Sequence, residues 1–149
     1  MEEKVARYTH STDRKGRFFI PAKLRDSLGP VVYVTKSLDM GFLAVYTNEQ
    51  FEQIRTQLNG LSGTDKVARK LRREIIGEAV RCPLDSQGRV SISEELWEAI
   101  QVRPGEEICL IDLGGSLEIC ALSHYEHLLE SEPPITELDL DAYDIKGII

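Results

Sequence analysis

Short apolar runs with β-prone residues alternate along this chain with polar turns and brief amphipathic stretches. Val5 to Thr12 reads as a strand leading into a turn at Gly16, where the backbone can take a positive φ without steric cost. Phe18-Phe19-Ile20 continues as a strand that Pro21 stops, and Leu24 and Leu28 fall on one side of a short helix ended by Gly29-Pro30. Val31 to Thr35 and Phe42 to Tyr46 are the next strands, joined by a loop with Asp39 and Gly41. Thr47 or Asn48 is placed to cap a helix carrying Phe51, Ile54 and Leu58 at helical spacing, ended by Asn59-Gly60. Thr64 is placed to cap the following helix, with Asp65 in its first turn and Val67, Leu71 and Ile75 as its apolar stripe. Leu58, Leu61, Leu71 and Trp97 read as core.

The pattern then repeats. Asp13, Gly16, Arg17, Ile20, Leu24 and Leu28 recur at an offset of 72 as Asp85, Gly88, Arg89, Ile92, Leu96 and Ile100. At an offset of 74, Leu43, Val45, Phe51 and Ile54 recur as Leu117, Ile119, Tyr125 and Leu128. Agreement in order, spacing and residue class means two copies of one supersecondary unit. We divide the chain into a first module (1–58), a helical linker (59–76), a second module (77–130) and an acidic, flexible tail (131–149) that contains Pro133-Pro134. The second copy has strands at Glu78 to Cys82, Glu107 to Ile111 and Leu117 to Cys120. Gly114-Gly115 forms a hairpin connection, and Ser123 is placed to cap a helix through Leu129. A unit of about 60 residues is marginal for an independent core, so the two copies are expected to share one. The fold class is α+β.

Charge is unevenly divided. The net charge is -7, yet residues 1–76 hold 14 Lys and Arg against 9 Asp and Glu, and residues 77–149 hold 4 against 16. Within Asp13 to Arg25, five cations face one acid. A tight turn on rigid strands presents such cations to a polyanion, because clustering rather than net charge decides the local field. Arg14, Lys15, Arg17, Lys23 and Arg25, with Arg89 from the second copy, are therefore the candidate contacts to such a polyanion, and the resemblance described below implies that it is DNA. Arg can grip guanine O6 and N7 together, whereas Lys15 suits a phosphate. Asp13, Gly16, Asp85 and Gly88 shape the two turns; either Asp can accept from turn amides or fix its Arg. Glu94 and Glu95 follow Arg89 in sequence, which ranks Arg17 above Arg89 for binding, and both above Arg103. The cations of Lys66 to Arg73 read as a solvated helix face, with nucleic-acid or subunit contact as the alternative.

At these residues the chain resembles the MraZ family of bacterial transcriptional regulators, built from two SpoVT/AbrB-like modules. The family motif is Asp-x-x-x-Arg, with Lys-Gly before the Arg in the first copy and Gly in the second; Asp13 to Arg17 and Asp85 to Arg89 match. Tyr8 and His10 sit where an aromatic and a His are common. The resemblance spans residues 5 to 130. The chain departs from the family at Lys4 and Ala6, in place of an opening Phe-x-Gly, and at Thr12, where an apolar residue is usual. It also has Ser93-Glu94-Glu95 where its first copy has Pro21-Ala22-Lys23. The resemblance implies two swapped-hairpin modules packed as a pseudo-twofold pair. It further implies a ring-shaped homo-oligomer on double-stranded DNA, repressing the cell-division and cell-wall gene cluster by reading short direct repeats in a promoter.

Other chemistry is sparse. His124 and His127 lie three apart with Glu126 between them, which is not a metalloprotease pattern, and they read as a surface pair. Cys82, Cys109 and Cys120 lack metal-type spacing and read as reduced, buried thiols of a cytosolic protein. No phosphate loop, dinucleotide fingerprint or nucleophile elbow is present. We expect no enzyme, no cofactor, no small-molecule substrate, no signal peptide and no membrane span, with the protein at the nucleoid. The competing readings are an AbrB-type antitoxin whose acidic tail binds a toxin, a non-DNA scaffold and, more distantly, a metal-dependent hydrolase.

Overall fold

A computed structural model describes residues 4–147. In chain order the first copy forms β1 (Arg7–Ser11), β2 (Arg17–Phe19), α1 (Ala22–Leu28), β3 (Val31–Lys36), β4 (Phe42–Tyr46) and α2 (Asn48–Asn59). Helix α3 (Lys66–Leu71) runs on into a π-helical turn, Arg72–Ile76. The second copy forms β5 (Val80–Pro83), β6 (Arg89–Ser91), α4 (Glu94–Ala99), β7 (Glu107–Asp112), β8 (Leu117–Ala121) and α5 (Leu122–Ser131). The class is α+β, with antiparallel strands and five short helices.

The main sheet has six strands in the order β1-β7-β8-β4-β3-β5. The order reads the same from either end when the copies are interchanged. Strand β1 of the first copy pairs with β7 of the second, Tyr8 opposite Leu110, and β5 of the second pairs with β3 of the first, Val32 opposite Cys82. The copies meet at the central β4–β8 seam, where Leu43 faces Ile119 and Val45 faces Leu117. A separate two-stranded ribbon, β2–β6, takes one strand from each copy. Neither copy completes its own sheet.

One face of the sheet carries the core. Val32, Val34, Leu43, Val45, Ile108, Leu110, Leu117 and Ile119 pack under Phe18 and Val90 of the ribbon and under Leu24, Leu96, Trp97 and Ile100 of α1 and α4. All belong to one cluster, so the two copies share a core as their size requires. On the other face, Tyr33 stacks on Phe51 of α2 with centroids 4.9 Å apart. A smaller cluster of Cys109, Ile111 and Cys120 lies there under Phe42, Leu122 and Tyr125.

Several local expectations are corrected. Thr47 and Gln50 form a reciprocal capping box on α2, but α3 is capped by Asp65, which accepts from the Val67 amide, and not by Thr64. Val67 is exposed and Ala68 is buried in its place, because the π-helical turn that follows shifts the register of the buried side. Leu61 is exposed, and Leu58 and Leu71 are half-buried. The guanidinium of Arg72 closes the loop before α3, donating to the carbonyls of Leu58 (2.7 Å), Leu61 and Ser62. Helix α5 begins at Leu122, directly after β8 and without a side-chain cap, so Ser123 is inside it. Beyond α5 a 3-10 turn, Ile135–Glu137, is followed by exposed chain to residue 147. The expected tail also includes residues 148 and 149, which lie outside the described residues.

Trp97 ties the ribbon to the core. It is buried, its ring meets Phe18 edge-on at 5.9 Å, and its indole N–H donates to the Gly16 carbonyl at 2.9 Å. Trp97→Ala should lower the unfolding free energy by about 3–5 kcal/mol in urea titrations. Trp97→Phe keeps most of the volume and removes only the N–H, leaving the Gly16 carbonyl to the Ile92 amide at 3.4 Å, and should cost about 1 kcal/mol.

Candidate nucleic-acid interface

The two Asp-x-x-x-Arg turns have one geometry. In the first, the Asp13 amide donates to the Arg17 carbonyl (2.9 Å) and the Gly16 amide to the Asp13 carbonyl (3.1 Å). The carboxylate of Asp13 accepts from the amides of Lys15 and Arg17, both at 2.9 Å, and from Arg17 Nε at 2.6 Å. In the second, Asp85 accepts from the amides of Gln87 (2.9 Å) and Arg89 (2.8 Å) and from Arg89 Nε (2.7 Å). Each carboxylate thus satisfies its own turn and orients one guanidinium through Nε. Among the described residues no other protein group hydrogen-bonds either guanidinium, which leaves the terminal nitrogens of Arg17 and Arg89 available.

Register explains the outward face. In β2–β6, Arg17 is opposite Ser91, Phe18 opposite Val90, and Phe19 opposite Arg89. Opposed residues share a face, and so do residues two apart along a strand. Phe18 and Val90 point into the core. Arg17, Phe19, Arg89 and Ser91 therefore form one outward row, in which Phe19 is 42% exposed between the two arginines. Sequence reasoning treated Phe18-Phe19-Ile20 as one apolar run and missed Phe19. Strict alternation about Phe18 was the available signal.

The turns are braced crosswise. Trp97 of α4 packs on Gly16 of the first turn, and Arg25 of α1, its counterpart at offset 72, packs on Gly88 of the second. Both glycines have positive φ, +72° and +78°. A Cβ on Gly88 would lie 2.3 Å from the Arg25 guanidinium carbon, so the position is closed to any side chain while Arg25 stays in place. Arg25 Nε donates to the Ile20 carbonyl at 2.8 Å, and the Ile20 amide donates to the Gly88 carbonyl at 2.9 Å. Arg25 is thus a brace of the ribbon. Arg14 and Lys15 are exposed at the tip of the first turn, and Lys23 is exposed at the start of α1.

The same crossing redistributes charge. Glu94 and Glu98 line a shallow pocket together with Arg14, Lys15, Trp97 and Arg103. Glu94, which follows Arg89 in sequence, therefore stands beside the first turn, whereas Glu95 lines a separate pocket with Lys36 and Gly77. The cation Arg25, which follows Arg17 in sequence, stands beside the second. Glu94 thus does not set Arg89 below Arg17, which keeps Arg14 and Lys15 in its own turn.

Elsewhere the candidates are occupied. Lys70 of the linker and Lys36 of β3 pair with Glu74 at 2.7 and 3.1 Å, and Arg69 donates to the Gly63 carbonyl. His124 sits 2.9 Å from the Met40 carbonyl and edge-on to Phe42, while His127 is exposed.

The comparisons with known proteins fit the doubled pattern. The family model described as "MraZ protein, putative antitoxin-like" matches residues 6–74 and again residues 75–143. The chain belongs to the MraZ family. Among its relatives named "Transcriptional regulator MraZ", that of Heliobacterium modesticaldum is 33% identical over 89% of this chain and 91% of its own. That of Halothermothrix orenii is 33% identical over 97% of this chain and 99% of its own. That of Lachnoclostridium phytofermentans is 36% identical over 82% and 84%. These MraZ relatives carry regulators' names, and among the described residues no helix is long and apolar enough to cross a membrane.

Both turn carboxylates are held below the ordinary range. At Asp13 partial desolvation opposes the shift, but the Arg17 amide, the Arg17 guanidinium and the Lys15 amide outweigh it. At Asp85 the Arg89 amide leads, and with the Arg89 guanidinium and the Gln87 amide it outweighs desolvation. A carboxyl depressed in the folded state stabilises fully above its unfolded pKa, and that stabilisation is lost as pH falls through the folded value. The double variant Asp13→Asn/Asp85→Asn should therefore have a lower urea midpoint than the parent at pH 6. The gap should narrow below about pH 4, the ordinary aspartate value. A gap that stays constant down to pH 2.5, on a scale of roughly one pH unit per tenfold change in protonation, would show that the carboxylate charge plays no part.

Proposed function

We propose that the chain is a sequence-specific DNA-binding transcriptional regulator that presents the β2–β6 ribbon to the major groove. The observation that carries this is the outward row of exposed Phe19 and Ser91 with half-buried Arg17 and Arg89, both arginines fixed by a carboxylate. A two-stranded ribbon fits a groove about 12 Å wide. As diagonal neighbours Arg17 and Arg89 stand about 7–8 Å apart, close to two base-pair steps of about 3.4 Å. Each has terminal N–H groups for guanine O6 and N7, and Phe19 offers an apolar edge to a thymine methyl. Arg14, Lys15 and Lys23 are positioned as phosphate contacts, which set affinity and register.

The family resemblance supports the finer reading. The protein assembles as a ring-shaped homo-oligomer of tandem swapped-hairpin modules, bounded as 1–58 and 77–130. It binds short direct repeats at the nucleoid and represses the cell-division and cell-wall genes without catalysis. Repetition around a ring multiplies a modest affinity by effective concentration. A second reading is supported by the antitoxin-like family description together with the exposed, acidic segment after α5, in which Ile135, Leu138, Leu140 and Tyr143 are exposed among acids. In that reading the tail engages a basic toxin. Copurification of such a protein, lost on truncation at Glu130, would favour it.

The test is a titration of the DNA upstream of the protein's own gene, and of scrambled DNA, at several salt concentrations, with circular dichroism as folding control. Arg17→Ala and Arg89→Ala should each cost about 1–3 kcal/mol per site and relax sequence preference, by similar amounts. Lys15→Ala should weaken all sequences alike and flatten the salt dependence by about one unit. Phe19→Ala should weaken binding to its own DNA and leave the salt slope unchanged. Unaltered affinity in well-folded Arg17→Ala and Arg89→Ala proteins would remove the ribbon from the mechanism and turn attention to the exposed Lys66 and Arg73 of the linker.

A further inference from the structure

The second face of the sheet holds a feature that DNA binding does not use. Cys109 of β7 and Cys120 of β8 are directly opposed in an antiparallel pair, both fully buried and both free. The Leu113 amide donates to the Ser116 carbonyl at the hairpin end, so counting back along the register makes Cys109–Cys120 a hydrogen-bonded rung. Such a rung sets the Cα atoms about 5.5 Å apart, inside the roughly 4.4–6.8 Å that a disulfide spans. The two thiols are neighbours across the rung, and Arg7 of β1 donates to the Cys109 sulfur from a terminal nitrogen at 3.7 Å. The Arg7 guanidinium lies 5.2 Å over the ring of Tyr125, so the thiols are covered by side chains of β1 and α5. Arg7, Leu122 and Tyr125 are themselves only half-buried, which makes the cover thin.

We propose that Cys109 and Cys120 are a dithiol site that hydroperoxides oxidise reversibly to a cross-strand disulfide, with Cys109 as the attacking sulfur and Cys120 as the resolving one. The Cys109 sulfur attacks the outer oxygen of the hydroperoxide. An S–O bond forms, the O–O bond breaks, and the other oxygen leaves as water or alcohol after taking a proton. The Cys120 sulfur then attacks the Cys109 sulfenic acid. The S–S bond forms, the S–O bond breaks, and the hydroxyl leaves as water with the proton of Cys120. The dithiol loses two electrons and the peroxide gains them. The neighbouring Cys120 thiol and the Arg7 guanidinium together favour the thiolate and lower the Cys109 pKa against burial. The same contact pushes Cys120 up, as its role as proton donor requires. Cys82 has no such neighbours, and burial pushes it up to about 11. At a hydrogen-bonded rung the Cβ atoms stand farther apart than a relaxed bridge prefers, so the bond should be readily reduced.

The experiment treats the full-length folded protein with hydrogen peroxide, blocks free thiols with iodoacetamide, and maps digests by mass spectrometry without reduction. The expected result is loss of two hydrogens in a Cys109–Cys120 linked peptide, with Cys82 alkylated after unfolding and full reversal by dithiothreitol. Cys120→Ser should instead trap a dimedone-reactive sulfenic acid on Cys109, and Cys109→Ser should leave Cys120 unoxidised. Arg7→Gln should slow the reaction roughly tenfold through the lower thiolate fraction, with circular dichroism confirming that β1 still pairs. Oxidation of all three cysteines at one common rate would mean that the reaction passes through the unfolded chain and would overturn the proposal. So would preferential oxidation of Cys82, or an Arg7→Gln protein that reacts as fast as the parent while folded.

Discussion

Everything in this molecule depends on the fact that neither repeat can satisfy its own strand edges. Strand β1 finds its hydrogen bonds on β7 and strand β5 finds them on β3. A sheet edge left unpaired is a liability, and a half-sized core is a marginal one. Exchange of strands addresses both: it leaves only β1 and β5 as edges of a six-stranded sheet and merges two small cores into one. The central seam alone, β4 on β8, would join two halves. The exchanged outer strands make each half part of the other.

The ribbon inherits this crossing. Its two strands come from different copies, and each turn is held by the helix of the other copy, through Trp97 on Gly16 and Arg25 on Gly88. The outward arginines are therefore mounted on elements that cannot move independently. Their orientation is set twice, by the carboxylate within the turn and by the brace behind it. Sites placed on strands with supporting contacts hold their geometry more closely than sites on free loops. The charges around the ribbon follow the same logic, since each helix brings its charge to the turn of the other copy.

Much of this was legible in the residues. The offset of 72 with Asp, Gly and Arg in fixed positions identified both turns, and β-branched and aromatic runs placed β3 and β4 within a residue of their bounds. What periodicity cannot supply is the identity of a strand's partner, because the same alternating pattern suits either hairpin. The pairing of β1 with β7 was invisible for that reason. So was the neighbourhood of Glu94, which sequence adjacency assigned to the wrong turn. Arg25 reads as a DNA contact from its charge, and its packing on Gly88 and its bond to the Ile20 carbonyl depend on the crossing, which residue type does not reveal. Trp97 was read as core, which it is, but its hydrogen bond to Gly16 depends on the crossing. Asp65 displaced Thr64 as a cap through a one-residue difference that either side chain could have met.

Having both copies on one covalent chain has a further consequence. A pair formed by two separate identical subunits comes apart on dilution, and every residue at its interface must serve in two symmetric places. Here the pairing is unimolecular, so it persists at any protein concentration. Position 25 and its counterpart at 97 have also diverged, a guanidinium in one and an indole in the other, each fitted to a different turn. Duplication within one chain has released the two halves from self-complementarity. Nothing in the fold obliges the surface they jointly contact to have a dyad axis.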